Sequence, residues 1–407
     1  MKCQSTSDRG LYLHGLGRLG VLSILLWFSI LAVFPRATPS GSAHAHAATP
    51  RSECAGTKAS ATLPATGRLV LLVPTTQSGD ASPQASTQLC EVMSSQGSRP
   101  LYLPLPSTDV DLSSDERFLA YSDWGGLVHL VDLRNEASRV LGRGVGPRFS
   151  PDGRSLAFVA AASAPLPGAA EWLEVYQTGP DRLTRIGPAV IPRIGVYDPS
   201  RLVAWSPRGD RIAWVRPNNK GTEFRVAVAA LHASSVTVTT TPITGANGIS
   251  WSATGDSILY WLFAYPTGKQ SVAAGNVRVM GWRWPNGPES TVVPADATSW
   301  IEGAAPAPVP APAGNMIASL LGSPHGGLHQ IVLFIPGRSS RHIPLPGEPT
   351  AVHFAPGRAL LVAIWTQLAR NTPVSHAGLV DIVGKKVYDL GPAVAAFWLT
   401  PSVDPVL

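Results

Sequence analysis

Phe149-Ser150-Pro151-Asp152-Gly153-Arg154-Ser155-Leu156-Ala157-Phe158 is the stretch whose reading decides the architecture. Proline presets φ at the first position of a turn and glycine accepts positive φ, so Ser-Pro-Asp-Gly reverses the chain between two antiparallel strands. In the second strand Leu156, Ala157 and Phe158 are apolar at consecutive positions, whereas a sheet with one wet face would alternate. Both faces of that strand must therefore be covered.

The pattern recurs along the chain. Trp205 to Trp214 matches it without a gap, Trp251 to Tyr260 keeps the length but loses the proline, and Leu112 to Tyr121 keeps the length but loses the glycine. Phe354 to Val362 is one residue short, and Ala311 to Ala318 is a weaker copy inside a Pro/Ala tract. The copies start at 112, 149, 205, 251, about 310 and 354, which brackets the roughly 40–50-residue period of a propeller blade. Small four-stranded sheets stacked face to face around an axis cover both faces of each strand. The expected fold is all-β, a β-propeller over residues 65–407.

Further strand-like runs follow the motifs: Leu127–Leu133 with Ser138–Leu141, Trp172–Tyr176, Phe224–Ala230, Val277–Trp282, Gln330–Phe334 and Leu379–Val383. Arg68–Val73, Leu89–Met93 and Pro100–Leu105 have no motif before them, while Ala395–Pro401 resembles the start of a repeat and then stops. The C-terminal strand is expected to complete the N-terminal blade, giving seven blades and no free sheet edge, with six blades as the alternative.

Composition sets the outer bounds. The chain has 407 residues, 44% of them hydrophobic and 14% charged, with 39 glycines and 38 prolines, which suits many short strands joined by tight turns. Arginines that contribute to the net charge of +6 stand singly, as Arg148, Arg154, Arg201, Arg208 and Arg216 do, so nucleic acid is not expected as a partner. Val21 to Phe34 is an uninterrupted apolar run after Lys2, Arg9 and Arg18. Residues 1–36 are accordingly read as a cleaved signal peptide or a retained N-terminal apolar helix that anchors the chain, with the mature protein outside the cytoplasm. Residues 37–64 read as a flexible linker. In that compartment Cys54 and Cys90 form a disulfide or remain as two thiols.

The motif resembles the TolB-type, WD-like repeat of periplasmic and secreted bacterial proteins and of prolyl-oligopeptidase propellers. The resemblance runs over most of residues 65–405 and is strongest at Phe149–Phe158 and Trp205–Trp214. It implies a propeller fold. TolB-type proteins carry a further N-terminal domain and usually six blades, so their partner interactions are not carried over.

Sites are harder to read. No Gly-x-Ser-x-Gly elbow stands in the sequence, and no catalytic residue, cofactor or metal site is assigned. His44 and His46 fall in the linker, and His325 and His329 flank the turn at Gly326-Gly327. Asp111, Arg148, Ser250 and His353 start strands nearest the axis and are expected to line a channel, either for a ligand or to bond one blade to the next. The loops joining second and third strands all emerge on one face and are the expected partner surface, carrying Trp172, Asn218, Asn219, Lys220, Tyr265, Lys269, Arg370 and Asn371. The functional expectation is a non-enzymatic binding or scaffold propeller that recognises a protein or glycan through that face. The alternative is a hydrolase or lyase acting at the channel mouth. Oligomeric state is left open.

Overall fold

The structure, a computed structural model, describes residues 68–75, 86–93, 97–100, 105, 107, 109–161, 171–189, 203–217, 224–232, 235–240, 246–263, 277–293, 308–312, 316–321, 329–355, 359–369 and 372–399. They belong to one compact unit, Arg51–Leu407. Every regular element among them is a β-strand, and none is a helix long and apolar enough to cross a membrane. The apolar run Val21–Phe34, the linker with His44 and His46, Cys54 and His325 lie outside the described residues.

Strands β1 (Arg68–Thr75), β2 (Ser86–Met93) and β3 (Gly97–Pro100) open the chain, and β27 (Ala395–Leu399) closes it. They form one sheet in the order β27-β1-β2-β3, with Arg68 opposite Leu399 and Leu72 opposite Ala395. The first and last strands described are thus joined directly by backbone hydrogen bonds. Next come β4 (Asp109–Leu112), β5 (Phe118–Ser122), β6 (Leu127–Asp132), β7 (Ala137–Phe149), β8 (Ser155–Ala161), β9 (Glu171–Gln177) and β10 (Arg182–Ala189), which make a single seven-stranded sheet. Its 13-residue β7 pairs with β6 through its first half and with β8 through its second.

Four-stranded sheets complete the fold. They are β11 (Val203–Trp205), β12 (Arg211–Pro217), β13 (Phe224–His232) and β14 (Ser235–Thr240); β15 (Ala246–Trp251), β16 (Ser257–Phe263), β17 (Val277–Arg283) and β18 (Glu289–Val293); β19 (Val309–Pro310), β20 (Ile317–Leu321), β21 (Gln330–Phe334) and β22 (Arg341–Pro344); and β23 (Glu348–Phe354), β24 (Leu360–Ala369), β25 (Thr372–Asp381) and β26 (Lys386–Pro392). Three runs differ from the sequence reading. The run at Pro100–Leu105 was expected as a strand, and β3 instead spans Gly97–Pro100. Ser138–Leu141 belongs to the longer β7. The strand expected at Leu379–Val383 begins at Thr372 and ends at Asp381, whose carboxylate accepts the N–H groups of Val383 and Gly384 and so closes the turn that follows.

The motif turns that begin at Ser113, Ser150, Ser206 and Ser252 are closed in the same way. In the Phe149 copy, the Gly153 N–H donates to the Ser150 carbonyl at 2.8 Å, while the Ser150 hydroxyl accepts from the Ser155 N–H at 2.9 Å and donates to Asp152 at 2.6 Å. In the Trp205 copy Arg208 stands where that aspartate was, and the Ser206 hydroxyl turns instead to Asp210, just past the glycine, at 2.7 Å. Ser252 does likewise with Asp256 at 2.9 Å. Successive turns also touch: a Cβ on Gly209 would lie 3.6 Å from Pro151, and one on Gly255 only 3.2 Å from Pro207. Glycine here serves both the positive φ and the packing of one turn on the next.

The core lies between neighbouring sheets. Trp214 fills the space beside Val159, Leu173 and Val175 of the preceding sheet and donates its indole N–H to the Pro188 carbonyl at 2.9 Å. Trp365 packs against Leu320 and Leu333 in the same manner, over Gly378, where any Cβ would come within 2.4 Å of its ring. Burying each such side chain contributes about 2–3 kcal/mol, which is why the aromatic of the strand after the turn recurs.

Candidate functional site

Of the strands that lead into the motif turns, β4, β11, β15, β19 and β23 are edge strands, while β7 leads into the Phe149 turn from inside the seven-stranded sheet. Asp111, Arg148 and Ser250, three of the expected channel residues, reach across to neighbouring segments or strands. Asp111 accepts the N–H of Phe149 at 2.7 Å, and Asp109, two residues earlier on the same face of β4, accepts the N–H of Gly146 at 2.7 Å. Arg148 lies 3.5 Å from Asp109. Burial pushes the Asp111 carboxyl up to about 6, against the pull of Arg148 and the Phe149 N–H. Ser250 donates its hydroxyl to the Pro308 carbonyl. His353 is exposed on β23, across from Val362.

Asp109 escaped the sequence reading because it lies outside the motif frame. Its only signal is the Asp-x-Asp spacing that places two carboxylates on one face of a strand.

Of the residues expected on the loop face, only Trp172 is described. It sits half-buried at the start of β9, with the Arg185 guanidinium 5.2 Å from its ring centre, and Arg185 is itself paired with Glu174 at 3.1 Å. Asn218, Asn219, Lys220, Tyr265, Lys269, Arg370 and Asn371 lie outside the described residues.

A pocket of about 360 Å³ opens at the opposite end of the strands, where β11, β15 and β19 run into their turns. Its walls are Trp205 and Pro207 from the first, Ser250, Trp251, Ser252 and Ala253 from the second, and Pro310 to Pro312 from the third. The motif itself builds this site: the aromatic before each turn and the proline within it come from consecutive repeats and meet at the axis. Both indole N–H groups point away into the fold, Trp205 to the Arg148 carbonyl at 2.9 Å and Trp251 to the Ala204 carbonyl at 3.0 Å. The Ser250 and Ser252 hydroxyls are likewise bonded within the protein. What the pocket offers an incoming group is therefore aromatic and proline surface. Arg211 stacks behind it, 5.5 Å from the Trp251 ring centre and 4.8 Å from that of Trp284.

Cys90, fully buried on β2, is disulfide-bonded, and its partner lies outside the described residues. Among the described residues no three His, Cys, Asp or Glu side chains gather as a metal-ligand set.

No family model matches the chain, and no curated protein matches it. Solved structures do. One is a prolyl endopeptidase, matched over 80% of this chain and 49% of its own at a TM-score of 0.51 and 14% identity. TolB from Acinetobacter baumannii is matched over 69% of this chain and 65% of its own, at 0.42 and 18%. The β-propeller domain of the Trilobed protease from Pyrococcus furiosus is matched over 79% and 85%, at 0.46 and 11%. The chain thus spans about half of the endopeptidase and less than two thirds of TolB. Its fold is a propeller, similar to that of the prolyl endopeptidase.

Proposed function

We propose that the chain is a non-enzymatic binding propeller working outside the cytoplasm, delivered or tethered there by residues 1–36, and that it takes apolar side chains of a protein partner into the pocket bounded by Trp205, Trp251 and Pro310. Its blades number seven, the seven-stranded sheet counting as two that share β7, and residues 37–64 are the linker to the N-terminal segment.

One observation carries this reading. The indole N–H groups and the Ser250 hydroxyl at the pocket are bonded within the fold, so its side chains hold an occupant chiefly by shape and apolar burial, as the anchor residues of protein interfaces are. Pro207 and Pro312 at the rim are exposed and rigid, and presenting them entails little loss of conformational freedom.

The full chain with a photo-crosslinking residue at Pro312 tests it in the cell of origin. A discrete adduct at Pro312 that disappears when Ala253→Arg fills the pocket supports the reading, with Lys386 on the outer strand as the control position. Adducts that ignore Ala253→Arg, or that form equally at Lys386, refute it. A reporter active only outside the cytoplasm, fused after Leu407, tests the location separately.

A further inference from the structure

On the face away from the pocket, the turn joining β5 and β6 reads Asp123-Trp124-Gly125-Gly126. Trp124 is 48% exposed and is the aromatic among the exposed large hydrophobic side chains of the described residues. Burying an indole is worth about 2–3 kcal/mol, and this turn forgoes that gain.

The turn is braced on every side. The Asp123 N–H donates to the Leu127 carbonyl at 2.9 Å, the Gly126 N–H to the Asp123 carbonyl at 2.9 Å, and the Leu127 N–H to the Asp123 carboxylate at 2.8 Å. The other carboxylate oxygen meets His129 at 2.8 Å, and the His129 ring stacks on Tyr121 at 4.6 Å and 3°. From β7 the Gly144 N–H reaches the Gly126 carbonyl at 2.9 Å and Arg143 reaches the Gly125 carbonyl at 3.3 Å. Gly126 has a φ of 72°, and a Cβ there would meet nothing within 4 Å, so the chain beside the indole is open.

We propose that Trp124 is a stacking platform for one ring of an acidic sugar, a uronate unit in a glycan chain, with Arg143 receiving the carboxylate. A pyranose presents an apolar C–H face and a hydroxyl-bearing rim, and the turn offers a flat indole flanked by side-chain-free glycines. Arg143 selects the acid. Asp123 is an anion, but its two carboxylate oxygens are already engaged, one by the Leu127 N–H and the other by His129. Arg143 is exposed and fixed at Gly125 through one nitrogen, with further guanidinium N–H groups available for a carboxylate. A protein interface of about 1,200–2,000 Å² gathers several apolar anchors. At this turn the described apolar anchor is a single indole.

The test is a fluorescence titration of the full chain with an oligogalacturonate, a cello-oligosaccharide of equal length and poly-glutamate, repeated on Trp124→Ala and Arg143→Gln. The expected result is saturable quenching by the uronate, weakened about tenfold, the equivalent of 1.4 kcal/mol, in each variant. The melting temperature of Trp124→Ala should fall only modestly, since about half of its surface is already in water. Absence of uronate binding, or binding that Trp124→Ala leaves intact, overturns the proposal. Equal binding of the neutral oligosaccharide overturns the role of Arg143, and equal binding of poly-glutamate shows that charge alone is recognised and overturns the platform.

Discussion

Arg68 on β1 reaches across to Glu116, 2.5 Å from one carboxylate oxygen, and Glu116 holds a φ of 57° where the neighbouring motif turns have glycine. The same guanidinium contacts the buried Glu91 at 2.5 Å, and its proton is held more firmly than in water by Glu91 first and Glu116 second, against burial. Arg68 therefore fastens the strand that receives the C-terminal β27 to the turn of the next sheet. It also accounts for the Leu112 copy of the motif, in which an ion pair accompanies a backbone conformation that L-residues adopt at a cost of about 1–2 kcal/mol. Glu116→Ala should keep the strain and lose the pair, destabilising by about 1 kcal/mol, while Glu116→Gly should come out closer to wild type. Equal losses in the two variants, read as urea midpoints, would show that the pair, and not the backbone, dominates. Arg68→Met should cost more than either, about 3 kcal/mol, because Glu91 is left buried without its partner.

The indole stitches between neighbouring edge strands make a second expectation. Trp251→Phe keeps the ring but removes the indole donor from the Ala204 carbonyl, and about 1 kcal/mol should be lost. Phe149 already occupies the equivalent position with no N–H to give, so Phe149→Trp should not produce a matching gain unless the facing strand shifts. Denaturant unfolding of both variants decides this.

Much of this fold was legible because a turn chemistry repeats. The Phe149 and Trp205 copies locate strands to within a residue or two, and the orphan run Arg68–Val73 pairs with the orphan run at Ala395 as the closure argument requires. The continuous β7 was not legible, since the run Ser138–Leu141 and the motif at Phe149 were read as separate strands and nothing local says that one strand serves two neighbours. The candidate site was legible only in parts. Asp111, Arg148 and Ser250 stood out from their position before a motif, but Trp205 and Trp251 were read only as the first residues of motif copies. Pro310 and Pro312 lay in a tract of uncertain register. Their convergence depends on three repeats being brought together, which no single repeat encodes.

Glycines at positive φ should separate by what they touch. Gly126 faces open space at φ 72°, so Gly126→Ala should cost only the backbone penalty of about 1 kcal/mol. Gly255 at φ 73° lies against Pro207, and Gly255→Ala must also displace that ring, a cost of about 2 kcal/mol or more. Equal losses in thermal unfolding would mean that the turn-on-turn contact yields freely.

Asp111 gives the fold a pH dependence whose sign can be worked out. Its folded value, about 6, lies above the ordinary aspartate value of 3.8, so the folded state holds the proton more tightly than the unfolded chain. The group's contribution is then neutral below about pH 4 and becomes progressively unfavourable as pH rises toward 6, reaching about 3 kcal/mol at most before relaxation of the site reduces it. Asp111→Asn mimics the protonated acid and its side-chain oxygen can still accept the Phe149 N–H. The variant should match wild type near pH 4 and exceed it by about 1–3 kcal/mol at pH 7.5. Urea unfolding at the two pH values provides the readout. A variant less stable than wild type at pH 7.5 would mean that the charge of Asp111 is needed by Arg148, and that the two inner strands are held together by the ion pair more than by the backbone bonds they share.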